Sequence, residues 1–192
     1  MSISGIFLVL FLLFHSTVNF LVLFSPSAFN AMSAFLGTNW YALIGTGLLA
    51  GGFVVHILYS LFLSYQNLRA RGSENYAVTK NQESVEWASQ NMLVLGTIIF
   101  GFLILHLYNF WYHMQYAELT GIHADMTPAE LVAKLFCNSW VYCVIYIVWL
   151  FSLWFHLTHG VWSSLQSIGV NNKTWLPRVK VISNILSTIV TL

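Results

Sequence analysis

The stretch Trp154–Gly169, WFHLTHGVWSSLQSIG, decides how the chain is read. It closes an apolar run that begins near Trp140, long enough to cross a bilayer as a helix. His156 falls well inside that run, where hydrocarbon leaves an imidazole without water. Ionisable side chains at such depth are rare and mark functional sites. Gly160 follows four residues later, one turn on and on the same helical face. Its missing side chain leaves room for something flat and bulky beside the imidazole. His15, His56 and His106 sit inside hydrophobic runs in the same way, and this repetition organises the protein.

Of the 192 residues, 58% are hydrophobic and 7% are charged. Soluble domains carry about 25% charged residues, so the composition is that of an integral membrane protein. A net charge of +1 and the absence of any basic run give no reason to expect nucleic acid. Cys137 and Cys143 are six apart at the start of one helix, on different faces, and read as small buried residues that do not pair. No small-residue cleavage site follows the first apolar run, which reads as a span and not as a cleavable leader.

The pattern predicts an all-α integral membrane fold with five transmembrane helices, at residues 3–24, 40–67, 91–112, 139–166 and 178–192. The first four carry one buried histidine each and form a four-helix bundle. The loop from Ser25 to Asn39 is polar and free of charge, whereas Arg69 to Gln90 is the most charged segment. Gly45, Gly47, Gly51 and Gly52 suit close helix packing in lipid. In the third loop, Thr127-Pro128-Ala129-Glu130 reads as a capping box with proline at the first helical position. Leu131, Val132, Leu135 and Phe136 then make an apolar stripe suited to the membrane surface. The last run is short for a span and the first has almost nothing before it, so the natural chain is expected to continue beyond both ends.

Six of the seven Lys and Arg residues (Arg69, Arg71, Lys80, Lys173, Arg178 and Lys180) fall in or beside the second and fourth loops, and only Lys134 falls opposite. The positive-inside rule puts those loops and the N-terminus in the cytoplasm. Counting residues along each span then gives depth, at about 1.5 Å per residue. His15 and His106 lie in the outer half, and His56 and His156 in the inner half. Two histidines at one depth inside an apolar bundle suit a haem held by two imidazoles. Zinc would need further nitrogen or sulfur ligands at each level, and a proton path would more naturally include Asp or Glu inside the spans. Two haems at these levels would stand on the order of 10–15 Å apart by helix rise, close enough for electrons to hop between them.

Four motifs carry a family resemblance: SGIFLVLFLLFH (4–15), VVHILY (54–59), LHLYNFW (105–111) and FHLTHGVWS (155–163). Together they resemble the single-subunit, di-haem cytochrome b anchors of succinate dehydrogenases and fumarate reductases, over essentially the whole chain. VEWASQNM (85–92) is similar to the bacterial branch that uses menaquinone. The resemblance implies two b haems, with His56 and His156 on the iron nearer the iron–sulfur subunit and His15 and His106 on the distal one. It implies a flavoprotein and an iron–sulfur subunit docked on the cytoplasmic loops, and a menaquinone site near the distal haem on the outer side. The setting is a bacterial cytoplasmic membrane, with a dimer of complexes among the assemblies it admits. Ser2 matches a position where the family offers a hydroxyl to a haem propionate. A subgroup places a glutamate, proposed to carry protons, two residues before the fourth-helix histidine; that position is Trp154 here, so the route does not transfer.

Other residues belong to the same neighbourhoods. His113, seven residues after His106, shares its α-helical face at the outer interface and is placed to meet a quinone or a propionate. His159, three residues after His156, is a candidate polar partner for the inner haem. Trp87, Ser89 and Asn91 open the third span on the inner side, as propionate or quinone partners. His123 reads as solvated in its loop, and the tryptophans at 140, 149, 154 and 162 read as packing and belt residues. The chain has no nucleotide fingerprint and no cysteine cluster, so succinate chemistry itself must come from partners. The rival readings are a di-haem quinol cytochrome of another respiratory complex and a small histidine-lined transporter.

Overall fold

A computed structural model describes residues 1–71, 86–121 and 126–192, and among these the chain is helical without a strand. Glu74, Lys80, Glu83 and His123 lie outside the described residues. Four stretches are long and apolar enough to cross a membrane: α1 (Ser2–Phe24), α3 (Trp40–Arg71), the run Met92–Tyr116, and α8 (Trp140–Ser167). They coincide with the first four expected spans. The third of them is composite, with α5 (Met92–His106) running into a π-helical segment, Leu107–Tyr116.

Shorter helices connect them: α2 (Pro26–Thr38), the single turns α4 (Trp87–Gln90) and α6 (Ala117–Thr120), and α7 (Pro128–Cys137). The helix α2 occupies the stretch expected to be a loop. Ser25, in extended conformation, accepts the Ala28 N–H at 3.2 Å, and Pro26 stands in the first turn; both are helix-start devices. Phe29 then anchors α2 in the protein at 4% exposure. The expected start of α7 forms as read: Thr127 Oγ1 accepts the Glu130 N–H, and Glu130 accepts the Thr127 N–H at 2.8 Å. Its apolar stripe faces protein, since α7 packs on α2 and α8 and Phe136 lies 5.0 Å from the Tyr146 ring. Both cysteines are free, and the Cys143 thiol meets the Phe136 carbonyl.

The four long helices pack as a ring in which α1 touches α3 and α8, and α5 touches α8 and, more lightly, α3. The diagonals, α1 to α5 and α3 to α8, are therefore not neighbours by backbone. Apolar packing concentrates on α8, where Leu153, Leu157 and Val161 meet Val9, Leu12 and Leu13 of α1 and Ile99 of α5. The expected close approach of the glycine-rich α3 is realised at Gly52, where a Cβ would stand 2.6 Å from the Phe7 ring. At Gly45, Gly47 and Gly51 it would meet nothing within 4 Å.

The last helix described, α9 (Trp175–Thr191), lies outside the ring against α8 and α1. At 17 residues it is shorter than the four long stretches. Ser183 and Ser187 are fully buried in its seam with α8. The Ser183 hydroxyl donates to the Thr158 carbonyl at 2.8 Å, and Ser187 donates back to Ser183 at 2.7 Å. Small hydroxyl residues one turn apart let two backbones approach closely in an apolar setting.

Candidate functional site

The interior of the ring is where the four singled-out histidines meet, each half-buried. His15 of α1 and His106 of α5 face each other across one diagonal, ring centroids 5.7 Å apart. His56 of α3 and His156 of α8 do so across the other, at 6.3 Å. Two imidazoles that ligate one ion from opposite sides, at about 2.0–2.1 Å each, stand about 6 Å apart by centroid.

The two pairs occupy separate levels. Ser4 and Gly5 of α1 and Gly96 of α5 meet the His56/His156 level. His15 is eleven residues beyond Ser4 and His106 is ten beyond Gly96, so two helices independently separate the levels by about 15 Å.

A hydroxyl from α1 holds the His56 ring. The Ser4 hydroxyl lies within hydrogen-bond reach of two groups, the Met1 carbonyl at 2.9 Å and His56 Nδ1 at 3.2 Å, and which of the Ser4–His56 pair donates follows the imidazole tautomer. The other ring nitrogen, Nε2, has no hydrogen-bond partner among the described residues, and it is the nitrogen that would face a metal with Nδ1 held by Ser4. Elsewhere, His106 Nδ1, His156 Nδ1 and Trp149 Nε1 are buried without hydrogen-bond partners. Such groups cost about 1–3 kcal/mol each when left so. Beside His106 stand Trp149 at 5.2 Å and Tyr146, whose hydroxyl accepts from Asn109 at 3.1 Å. A Cβ at Gly160 would meet nothing within 4 Å, so there is open space at that position.

Among the described residues no group of three or more His, Cys, Asp or Glu could hold a metal ion. Each level offers two imidazoles, a donor set suited to an ion that brings its remaining ligands with it.

The other candidates are dispersed. Ser2 is half-buried in the first turn of α1, and Ser4, not singled out in the sequence, is the hydroxyl that reaches a histidine. His113 is exposed and lies against Tyr108 and Tyr112, because the wider π-helical turn carries it off the His106 face. The Asn91 side chain bonds the Trp87 carbonyl in its own turn, and Ser89 is half-buried. Trp87 packs edge-on to Phe155 at 5.2 Å.

His159 joins a polar cluster where α4, α8 and α9 meet. Its Nδ1 lies 3.7 Å from Glu86, too far for a hydrogen bond, while Glu86 takes Lys180 at 2.6 Å and the Trp162 N–H at 3.2 Å. Partial burial alone would raise the Glu86 pKa. Lys180, the Trp162 N–H and His159 outweigh it, and the carboxyl titrates below its ordinary range. Trp154 donates to Thr188 at 3.0 Å, which leaves it a tie between α8 and α9. Comparison with protein-family models, curated proteins and solved structures gave no match.

Proposed function

We propose that this chain is the membrane anchor and electron-transfer subunit, carrying two b haems, of a succinate:menaquinone or menaquinol:fumarate oxidoreductase. Haem iron supplies the one-electron chemistry, and the protein supplies ligands, orientation and a dry setting. His15 with His106, and His56 with His156, are the axial pairs. Ser4 orients His56 through Nδ1, while Trp149 and Tyr146 wall the other level. The observation that carries this reading is the pairing of four imidazoles across both diagonals of one ring, at two depths.

On this reading α9 is a fifth span: 17 residues rise about 26 Å, slightly less than the hydrocarbon core of about 30 Å. Among the described residues, the end of the ring nearer His56 and His156 carries five of the six basic residues, so it faces the cytoplasm of a bacterial cell, where the flavoprotein and iron–sulfur subunits dock. Menaquinone is the lipid-side redox partner.

The test is spectroscopic. The full chain purified with its partner subunits is expected to contain two b haems per chain, reducible by succinate or menaquinol. His156→Ala is expected to retain one. Two haems at full stoichiometry in that variant would refute the ligand assignment, and a chain without a Soret band would refute the function.

A further inference from the structure

Cys137 and Cys143, read in the sequence as two residues of one helix, stand on two. Cys137 closes α7 and Cys143 lies in the first turn of α8, with Asn138 and Ser139 as the corner between them. Ser139 is extended (φ −145°, ψ 101°), so the chain leaves α7 and enters α8 in a new direction. The corner brings the Cys143 thiol to 3.2 Å from the Phe136 carbonyl, one of those that a helix end leaves without an intrahelical partner. That carbonyl belongs to the peptide joining Phe136 to Cys137, and a trans peptide holds its oxygen about 2.8 Å from the following Cα. The Cys143 sulfur therefore stands within about 6 Å of the Cys137 Cα. Both thiols are free, Cys137 exposed and Cys143 half-buried, and the chain holds no other cysteine. We infer that the two form a redox-responsive pair, closed into one intrachain disulfide by a disulfide-bearing oxidant on the outer side, which staples the end of α7 to the start of α8.

A disulfide places its Cα atoms about 4.4–6.8 Å apart, so closure asks for side-chain rotation and a shift of the two-residue corner. The exposed Cys137 can meet a reagent, while the half-buried Cys143 is held beside it as the resolving thiol. The corner precedes the span that begins at Trp140, at the end of the bundle away from five of the six basic residues described. On the orientation proposed above, on which this part rests, that end faces the outer compartment, where disulfides persist. Cys137, as the thiolate, attacks one sulfur of the oxidant's disulfide; that S–S bond breaks and the oxidant's other sulfur leaves as a thiol. Cys143 then attacks the Cys137 sulfur of the mixed disulfide and releases the second oxidant sulfur. Two protein S–H bonds become one S–S bond, and the oxidant takes up two electrons and two protons as a pair of thiols. The staple adjoins Phe136, whose ring lies 5.0 Å from Tyr146, itself 6.4 Å from His106. It thus fixes α7 against the aromatic wall of that histidine level.

The full chain, purified from its membrane with the subunits that accompany it, is incubated with oxidised glutathione, then denatured, alkylated and weighed by mass spectrometry. The chain is expected to lose both alkylatable thiols and two hydrogens, to carry no glutathione, and to regain both thiols with dithiothreitol. Amide exchange over 131–137 should slow in the oxidised chain and recover on reduction. Cys143→Ser keeps an O–H donor for the Phe136 carbonyl, so it is expected to fold as the wild type and to trap glutathione on Cys137, with no slowing of exchange. Two thiols still alkylatable in the wild type, a glutathione adduct that persists there, or chain-to-chain dimers as the main product would each overturn the pair. In intact cells treated with reductant, a membrane-impermeant maleimide is expected to reach Cys137 from outside. Labelling only in inside-out vesicles would overturn the outer compartment, and with it the orientation proposed above, even where the purified chain closes the disulfide. Failure to close it in the purified chain overturns the pair and leaves that orientation and the haem reading standing.

Discussion

At the scale of single residues, four histidines were legible from the sequence because an imidazole inside an apolar span is conspicuous. What surrounds them was not. Ser4 meets His56 across 52 residues of chain, and its meaning depends on where its one proton goes. Nothing in a serine near an N-terminus announces that. The same holds for Asn109 and Tyr146, which meet across 37 residues beside His106. Hydrogen bonds that orient a metal-binding imidazole commonly change affinity by about 10–100-fold when removed. On the function proposed above, Ser4→Ala is therefore expected to weaken haem retention at the His56/His156 level by that order while leaving the other haem in place. The readout is haem lost on dilution in detergent, resolved by the two b-haem absorption bands, with Ser4→Thr restoring retention. Equal loss from both levels would mean that Ser4 acts on folding and not on His56.

Secondary elements were most legible where length and hydropathy agree, as in α1, α3 and α8. The misplaced ones have physical reasons. The stretch 25–39 carries small residues and no charge, so its period is faint, although Ser25-Pro26 was a start signal. The π-helical turn after His106 widens the helix, so counting in α-helical turns put His113 on the wrong face. The contact between α9 and α8 is built from Ser183 and Ser187, two small residues in an apolar run whose partners are backbone carbonyls 25 and 4 residues away. Hydroxyl contacts of this kind inside membranes contribute about 0.6–2 kcal/mol. Ser183→Ala is expected to lower stability by about that amount. Ser183→Leu must push α9 off α8, because the serine has no exposed surface to expand into. Thermal unfolding in detergent measures the first. Hydrogen exchange of the amides in 175–191 measures the second, which should rise in the leucine variant and stay near wild type in the alanine variant.

For the whole molecule, the sorting of histidines into two depths was legible because helix rise converts residue count into distance. The way one end of the bundle is tied together was not, since Glu86 and Lys180 are 94 residues apart and on no common period. Glu86 joins α4 to Trp162 and His159 of α8 and to Lys180 of α9, so one carboxylate holds three elements. Its pKa lies below the ordinary 4.5, and so does that of Glu130, whose carboxylate accepts the Thr127 backbone and hydroxyl hydrogens in the α7 cap. A carboxyl depressed by folding stabilises the native state above its unfolded-state value, and this contribution disappears as pH falls through the folded value. The relevant window is therefore below about pH 4.5, and between there and neutrality these two groups leave stability flat. Acidification is expected to lower the melting temperature in that window and to raise hydrogen exchange across α9. Glu86→Gln should already show the faster α9 exchange at pH 7 and lose most of its further acid response there. Glu130→Gln should leave α9 unaffected and change exchange at the start of α7. If α9 in Glu86→Gln still loosened with acid as in the wild type, the acid response would have to come from a titrating group other than Glu86, and the tie assigned to Glu86 would be wrong.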